Sequence, residues 1–475
     1  MAENEKEIEV SIAENDEKEK EIVENGVHTY SDVERYVKPT DPKILERLEW
    51  FQDQKLALMM HWGPYSQIGL VESWALSDAD ADWSAGGVNW VKNRTEFKQQ
   101  YFDLNKTFNP IRFMPEAWAD FAAENGFKYL IFTTKHHDGF CMWDTQYSDY
   151  KITAPDCPFH TNKKADIVKH VFDAFRAKGL GIAAYFSKAD WHIPCYWENA
   201  EHTARGPSYD PKEKPSLWQK FKEFTKNQIL ELVTHYGKID ILWFDAGWVH
   251  APKQDIQIEE IVAEARKIQS DILSAYRTCG GECENYVTPE QCVPSAPLGV
   301  PWESCVTAGT QFSYRFDDDY KSPRELISLL VDTVCKGGNL ALNIGPQSDG
   351  RLPEHAMRAV SGMGDWLKIN GEAIYGTRAT NPHATVASAG TASLQIRYTK
   401  KSSTIYAIVL LGENENLPPS LNIALNADWK IKTAALIIGS GKKQPVQFLH
   451  DGNSIALTVP KDAPSLAPVF ALELA

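Results

Sequence analysis

From about residue 50 onward, short apolar runs alternate with segments whose apolar positions recur every three or four residues. The runs Leu56–Trp62, Tyr129–Thr134, Gly181–Ser187, Ile239–Asp245, Asp271–Arg277, Val300–Cys305 and Leu340–Ile344 read as buried strands. Between several of them lie helical patterns. Pro115–Asn125 places Trp118, Phe121 and Ala122 on one face, with Pro at its start and Gly126 just past its end. Asp166–Lys178 carries Ile167, Val171, Phe172 and Phe175 and closes on Gly179, and Leu217–Tyr236 closes in the same way on Gly237. Strand and helix alternating over some 300 residues imply parallel strands joined by right-handed crossovers. Seven or eight such units predict a (β/α)8-type, TIM-like barrel. A doubly wound sheet is the alternative, but no glycine-rich phosphate turn follows the first strand.

The pattern changes after about residue 380. Leu394, Ile396 and Tyr398 alternate with polar residues, as do Ile455, Leu457 and Val459, and Thr404–Leu411 is rich in β-branched residues. Turn residues at Asn416–Pro419 and Asp451–Gly452 separate these runs. This predicts a C-terminal antiparallel β-sandwich over 379–475, following a barrel over 41–378 and an acidic tail over 1–40. Residues 1–25 hold ten Asp/Glu against three Lys and no aromatic residue, so the tail has little to bury and reads as disordered or frayed. It also lacks the basic start and apolar stretch of a signal peptide. The expected location is therefore the cytoplasm, or the chain is a secreted or periplasmic form already processed.

Composition narrows the function. The chain is 475 residues long, 43% hydrophobic and 24% charged, which suits a large globular core. A net charge of −15 argues against a nucleic-acid partner. No apolar run approaches the roughly 18 residues that span a bilayer, so no membrane association is expected. Fifteen Trp, of which only Trp429 falls in the sandwich, concentrate flat apolar faces with an N–H donor in the barrel, a combination suited to cores and to sugar rings. The eight Cys form no CxxC pair; Cys279 and Cys283 are the nearest approach to a metal pattern. Self-association stays open.

In a barrel enzyme the reacting groups sit where strands end. Here those ends read His61-Trp62-Gly63, Lys135-His136-His137-Asp138-Gly139-Phe140, Tyr185-Phe186-Ser187-Lys188, Trp243-Phe244-Asp245-Ala246-Gly247-Trp248, Arg277 and Trp302-Glu303. His, Arg and Trp hydrogen-bond sugar hydroxyls, and hydrolysis of a glycosidic bond needs two carboxyl groups flanking the anomeric carbon. Asp245 and one Glu form the natural pair. Asp245 could instead cap the following segment, and each His could be structural. Adjacent His136 and His137 would face opposite ways if the strand continued, leaving one to reach a ligand. Three His and an Asp could also hold zinc, but the HxH of metal-dependent barrel hydrolases is missing from the first strand, so no metal and no cofactor are expected.

The motifs His61-Trp62-Gly63, Lys135–Phe140, Trp243-Phe244-Asp245, Pro301-Trp302-Glu303 and Gly337–Pro346, in this order, resemble the α-L-fucosidases of glycoside hydrolase family 29, over residues 45 to 376. The resemblance implies a barrel followed by a β-sandwich, a retaining metal-free mechanism and fucosylated glycans as substrates. It implies Asp245 as nucleophile and His61, His136, His137 and Trp243 as the hydroxyl-binding set, with Tyr185 near the nucleophile. Arg277 falls near the acid/base. Glu72 and Trp74 would grip the far side of fucose, although Glu-Ser-Trp spreads the family's Glu-Trp-Tyr by one residue. Phe312 or Trp302 would face the fucose methyl group. The acid/base shifts position within the family: Glu303 in Pro-Trp-Glu-Ser-Cys is favoured, Glu290 in Thr-Pro-Glu-Gln is the alternative, and Glu284 is a remote third. The other classes to weigh are a fucose-binding barrel without catalysis and a metal-dependent barrel hydrolase.

Overall fold

The computed structural model describes residues 33–475 except 82, 85–90, 92, 200, 278, 390–391 and 414, so most of the acidic tail lies outside the described residues. Seven strands, β1 Leu56–Met60, β2 Tyr129–Lys135, β3 Gly181–Ser187, β4 Ile241–Asp245, β5 Leu273–Ala275, β6 Glu303–Thr307 and β7 Asn339–Asn343, form one sheet in the order β5-β4-β3-β2-β1-β7-β6. Every pairing in it is parallel. Residues 285–291 bridge its two edges. Asn285 N–H donates to Ser274 O on β5 (2.9 Å), and Glu303 N–H on β6 donates to Val287 O (2.9 Å). Glu290 lies opposite Cys305 in an isolated parallel bridge. This irregular stave takes the place of a regular eighth strand.

Alternation along the strands sorts their side chains. Ala57 and Met59, Tyr129 and Ile131, Ala183 and Tyr185, and Ile241 and Trp243 point into the barrel as one buried cluster. Leu58, Leu130, Phe132, Leu242 and Phe244 point outward into the layer shared with the helices. With both faces covered, the strands read as continuous apolar runs. Helix α1, Pro42–Gln54, closes the end of the barrel where the strands begin. It starts at Asp41, whose side chain accepts from Lys43 N–H (2.8 Å), and contributes Ile44, Leu48 and Phe51 to the inner cluster. Phe51 stacks on Tyr286 at 4.1 Å. Among the described residues the barrel is thus plugged below and opens above. The helices that cover the sheet are α2 Arg94–Phe102, α3 Pro115–Glu124, α4 Ile167–Ala177, α5 Pro215–His235, α6 Ile258–Ile268, α7 Pro323–Cys335 and α8 Glu354–Asn370.

The C-terminal strands, β8 Arg378–Ala389 through β16 Val469–Leu474, make a nine-stranded antiparallel sheet folded over a second core that includes Ile396, Ile405, Val409, Leu457 and Phe470. In β10, Thr404–Leu410, Ile405, Ala407 and Val409 face that core, whereas Tyr406 and Ile408 join the barrel's helix layer. Trp366 of α8 ties the two units by donating its indole N–H to Ala467 O at 2.9 Å. Among the described residues no helix is long and apolar enough to cross a membrane.

β6 differs most from expectation. It begins at Glu303 instead of nearly ending there, which sets that residue at the plugged end of the barrel, opposite Asn339.

Candidate active site

A cavity of about 410 Å³ opens above the ends of the strands. His61, Glu72, Trp74, His136, Tyr185, Trp243, Asp245, Arg277 and Glu290 all line it. Asp245 is the last residue of β4. Its Oδ1 accepts from Arg277 Nε at 3.2 Å, and its Oδ2 accepts from the Tyr185 hydroxyl. Arg277 also donates to Glu290 Oε2 and to Thr288 O (3.1 Å), so one guanidinium joins two of the carboxylates that line the cavity, Asp245 and Glu290. Four non-glycine residues here sit in the left-handed region: Glu72 (φ 42°), Ala246 (φ 65°), Arg277 (φ 54°) and Gln291 (φ 54°). Each costs about 1–2 kcal/mol, and such strain is retained where the surrounding contacts over-determine the backbone.

The imidazoles are held neutral. Burial pushes His61 and His137 down to about 4 and His136 well below the usual histidine range. Their tautomers follow from their partners. The Asn343 amide donates to Phe312 O (2.6 Å), so its Oδ1 accepts from His61 Nδ1–H (2.8 Å). The Ser187 hydroxyl donates to Ala189 O (2.7 Å), so its oxygen accepts from His137 Nδ1–H (2.7 Å). Both residues therefore keep Nε2 as an acceptor for a hydroxyl proton. His137 stands just behind the cavity wall, with Nε2 3.8 Å from Asp245 Oδ2. The strand does not continue through these histidines: β2 ends at Lys135 and the chain turns, with Gly139 N–H donating to His136 O (3.1 Å). The two rings lie 4.0 Å apart, and both lie close to Asp245 instead of facing opposite ways.

Glu72 is buried and accepts from the Ser313 backbone N–H at 2.6 Å, and burial pushes its carboxyl up to about 8. Trp74 packs its ring against His137 (5.0 Å) and Trp248 (5.7 Å). The Glu72 support depends on Gly345, where an added Cβ would lie 2.4 Å from the backbone of Ser313 and Tyr314. Gly345→Ala is expected to displace residues 312–314, lower the thermal midpoint and raise KM for a substrate held by Glu72; calorimetry and steady-state kinetics check both.

Four expected site residues sit elsewhere or act otherwise. Glu303 is fully buried below the cavity, accepting from Trp243 Nε1–H (2.9 Å), the Tyr129 hydroxyl and the Tyr286 hydroxyl (3.4 Å). It points inward like Cys305, but one layer deeper. Trp302 has the opposite parity; its ring packs over Gly338, and its N–H donates to Lys336 O (3.3 Å). Trp243 commits its N–H to Glu303, so it offers the cavity a ring face, stacked on Tyr185 at 5.3 Å. Phe312 lines the cavity beside His61 (4.8 Å), whereas Trp302 does not. Glu284 is buried away from the cavity, accepting from Gly280 N–H. Asp80, Trp83, Arg205, Trp248 and Gln311 also line the cavity. No short motif marks them except Trp248, three residues after Asp245.

His136, His137 and Asp245 also bring possible metal-ligand atoms within 4.8 Å of one another. Arg277 at 3.2 Å from Asp245 sets a fixed positive charge against a cation there.

Two carboxylates joined by one guanidinium at the strand ends of a parallel barrel, facing a blind cavity among neutral imidazoles and aromatic faces, define a glycoside hydrolase. The α-L-fucosidase family model matches residues 26–372, and the chain belongs to this family. It is 28% identical over 427 residues to the human plasma α-L-fucosidase, covering 87% of this chain and 85% of that one. It is 30% identical over 388 residues to the human tissue enzyme, covering 76% and 75%. Among solved structures, α-L-fucosidase isoenzyme 1 from Paenibacillus thiaminolyticus superposes with a TM-score of 0.73 at 28% identity, covering 91% of this chain and 100% of that one. The Thermotoga maritima α-fucosidase in complex with fucose gives 0.72 at 26% identity, covering 92% and 100%.

Proposed function

We propose that this protein is a retaining exo-α-L-fucosidase with Asp245 as nucleophile and Glu290 as acid/base. The observation that carries the pairing is Arg277, which holds both carboxylates and so favours the short separation, about 5–5.5 Å, of retaining glycosidases. Glu303 is not placed to reach a leaving oxygen, since it lies outside the cavity and its oxygens accept from Trp243, Tyr129 and Tyr286. In the first step Asp245 attacks the anomeric carbon while Glu290 gives its proton to the leaving oxygen. In the second, Glu290 takes a proton from water as that water releases fucose and frees Asp245. His61 accepts a hydroxyl proton, and Phe312 supplies an apolar wall for the C5 methyl group. A cavity plugged from below by α1 admits a terminal residue, which is the basis for exo action.

The test is release of p-nitrophenol from its α-L-fucoside, beside a panel of other aryl glycosides, with and without EDTA. Fucoside-selective release that EDTA leaves unchanged, with α-fucose as the first anomer seen by NMR, is the expected result. Loss of activity with EDTA would instead favour metal chemistry at His136, His137 and Asp245. Binding of fucose without turnover would favour a carbohydrate-binding protein.

The pH dependence follows from Glu290. Burial raises its carboxyl, Arg277 opposes, Asp245 adds to the rise, and the net direction is upward. The acid must be protonated for the first step, so kcat/KM falls as pH rises through this pKa, above the ordinary carboxylate range. Glu290→Gln is expected to remove that limb for a substrate whose leaving group needs no proton, measured with 2,4-dinitrophenyl α-L-fucoside.

A further inference from the structure

The reacting groups occupy the floor of the cavity, but its walls continue to a rim built from other loops. The segment after β1 carries Asp80 and Trp83, that after β3 carries Arg205, and that after β4 carries Trp248. Trp83 is 59% exposed, the one exposed Trp among the described residues, and it lines the cavity instead of lying loose on the surface. Its ring leans on Trp74 at 6.4 Å, and Trp74 in turn meets Trp248 at 5.7 Å, so indole faces run from the floor to the rim. The Arg205 guanidinium lies over Trp248 at 5.4 Å, and Arg205 N–H donates to Asp80 Oδ2 at 2.6 Å, which joins the rim segments to one another.

With the barrel plugged by α1, the leaving group departs past this rim. Resting on the fucosidase reading, we infer that Trp83, with Trp248 and Arg205, forms an aglycone subsite that takes the pyranose ring to which fucose is attached. An exposed indole offers a flat apolar face to the C–H side of a sugar, while Asp80 and Arg205 beside it can accept from and donate to ring hydroxyls. Trp83 then sets specificity without touching the reacting atoms.

The test compares α-L-fucosyl fluoride, which has no sugar aglycone, with fucosyl-galactose and fucosyl-N-acetylglucosamine disaccharides. In Trp83→Ala the ratio of kcat/KM for the best disaccharide to kcat/KM for the fluoride is expected to fall at least ~10-fold, about 1.4 kcal/mol. Trp83→Phe, which keeps a ring face, is expected to recover most of that ratio. Because the ratio is internal to each variant, a lower yield of folded protein cancels. An unchanged ratio in Trp83→Ala overturns the subsite, as does wild-type protein that cleaves the fluoride but none of the disaccharides. Wild-type protein inactive on every substrate overturns the fucosidase reading itself, and the subsite with it.

Discussion

Asp245→Gly is expected to lower kcat/KM on p-nitrophenyl α-L-fucoside by at least ~10³-fold, the scale seen when a covalent nucleophile is removed. The carboxylate sits at the open end of β4, so its loss leaves the strand ladder intact, and Arg277 keeps Glu290 as a charge partner. The fold should therefore survive, which a far-ultraviolet spectrum and a thermal midpoint check. The space vacated faces the anomeric carbon from the side opposite the leaving group. Added azide is expected to enter there and yield β-fucosyl azide, with inverted configuration. Near-normal turnover in this variant, or α-fucosyl azide as its product, would remove Asp245 from the role proposed for it.

Glu290→Gly and Glu303→Gln separate the two candidate acids. Loss of a general acid/base costs typically 10²–10⁴-fold, so Glu290→Gly is expected to lose that much on fucosylated disaccharides. The loss should be smaller on aryl fucosides, whose leaving groups need less protonation. Azide would then attack the fucosyl-enzyme from the side that Glu290 occupied, and the product would be α-fucosyl azide, with retained configuration. Glu303→Gln is expected to stay within about 10-fold of wild type. Burial raises the Glu303 carboxyl to about 7, and an amide of the same shape can still accept from Trp243 Nε1–H. A loss with Glu303→Gln matching that of Glu290→Gly, with α-fucosyl azide formed only by the Glu303 variant, would return the role to Glu303.

The sign of the histidine contribution to stability is also set. For His61 and His137 the folded pKa, about 4, lies below the ordinary value of about 6.5. Between those values the unfolded chain binds protons that the folded chain does not, so their contribution is present above pH 6.5 and is lost as pH falls toward 4. The buried Glu72 acts in the opposite sense, because its folded pKa of about 8 makes the folded chain the one that holds the proton as pH rises above the carboxylate range. Urea unfolding of Glu72→Gln against wild type between pH 5 and 8 should show the wild-type protein losing stability relative to the variant as pH rises.

Much of this architecture was written in local pattern. Runs buried on both faces marked the parallel strands, and Gly181–Ser187 coincides with β3 residue for residue, because Gly179 ends the preceding helix and the apolar run is unbroken. The ends of β1, β3, β4 and β5 placed His61, Tyr185, Asp245 and Arg277 around one opening, since parallel strands all end on the same side. Period-two alternation also gives the parity that turns Trp302 away from the lumen while Glu303 points inward.

Depth was the part that sequence could not supply. Whether a lumen-facing carboxylate reaches the cavity depends on which strand residue lies level with which neighbour. That register comes from hydrogen bonds between segments far apart in the chain. Glu303 pairs with Asn339 at the bottom of the barrel, and Glu290, carried by an irregular stave with no strand-like signal, comes level with Cys305 near the top. The rim is likewise a tertiary product, because Trp83, Arg205 and Trp248 belong to loops after three different strands. The sequence by itself determined a parallel barrel, its sandwich and the ring of candidate groups, since local burial and strand polarity suffice for those. Only the packed structure decided that Arg277 joins Asp245 to Glu290 while Glu303 lies beneath Trp243, because long-range register alone sets the height of each side chain in the lumen.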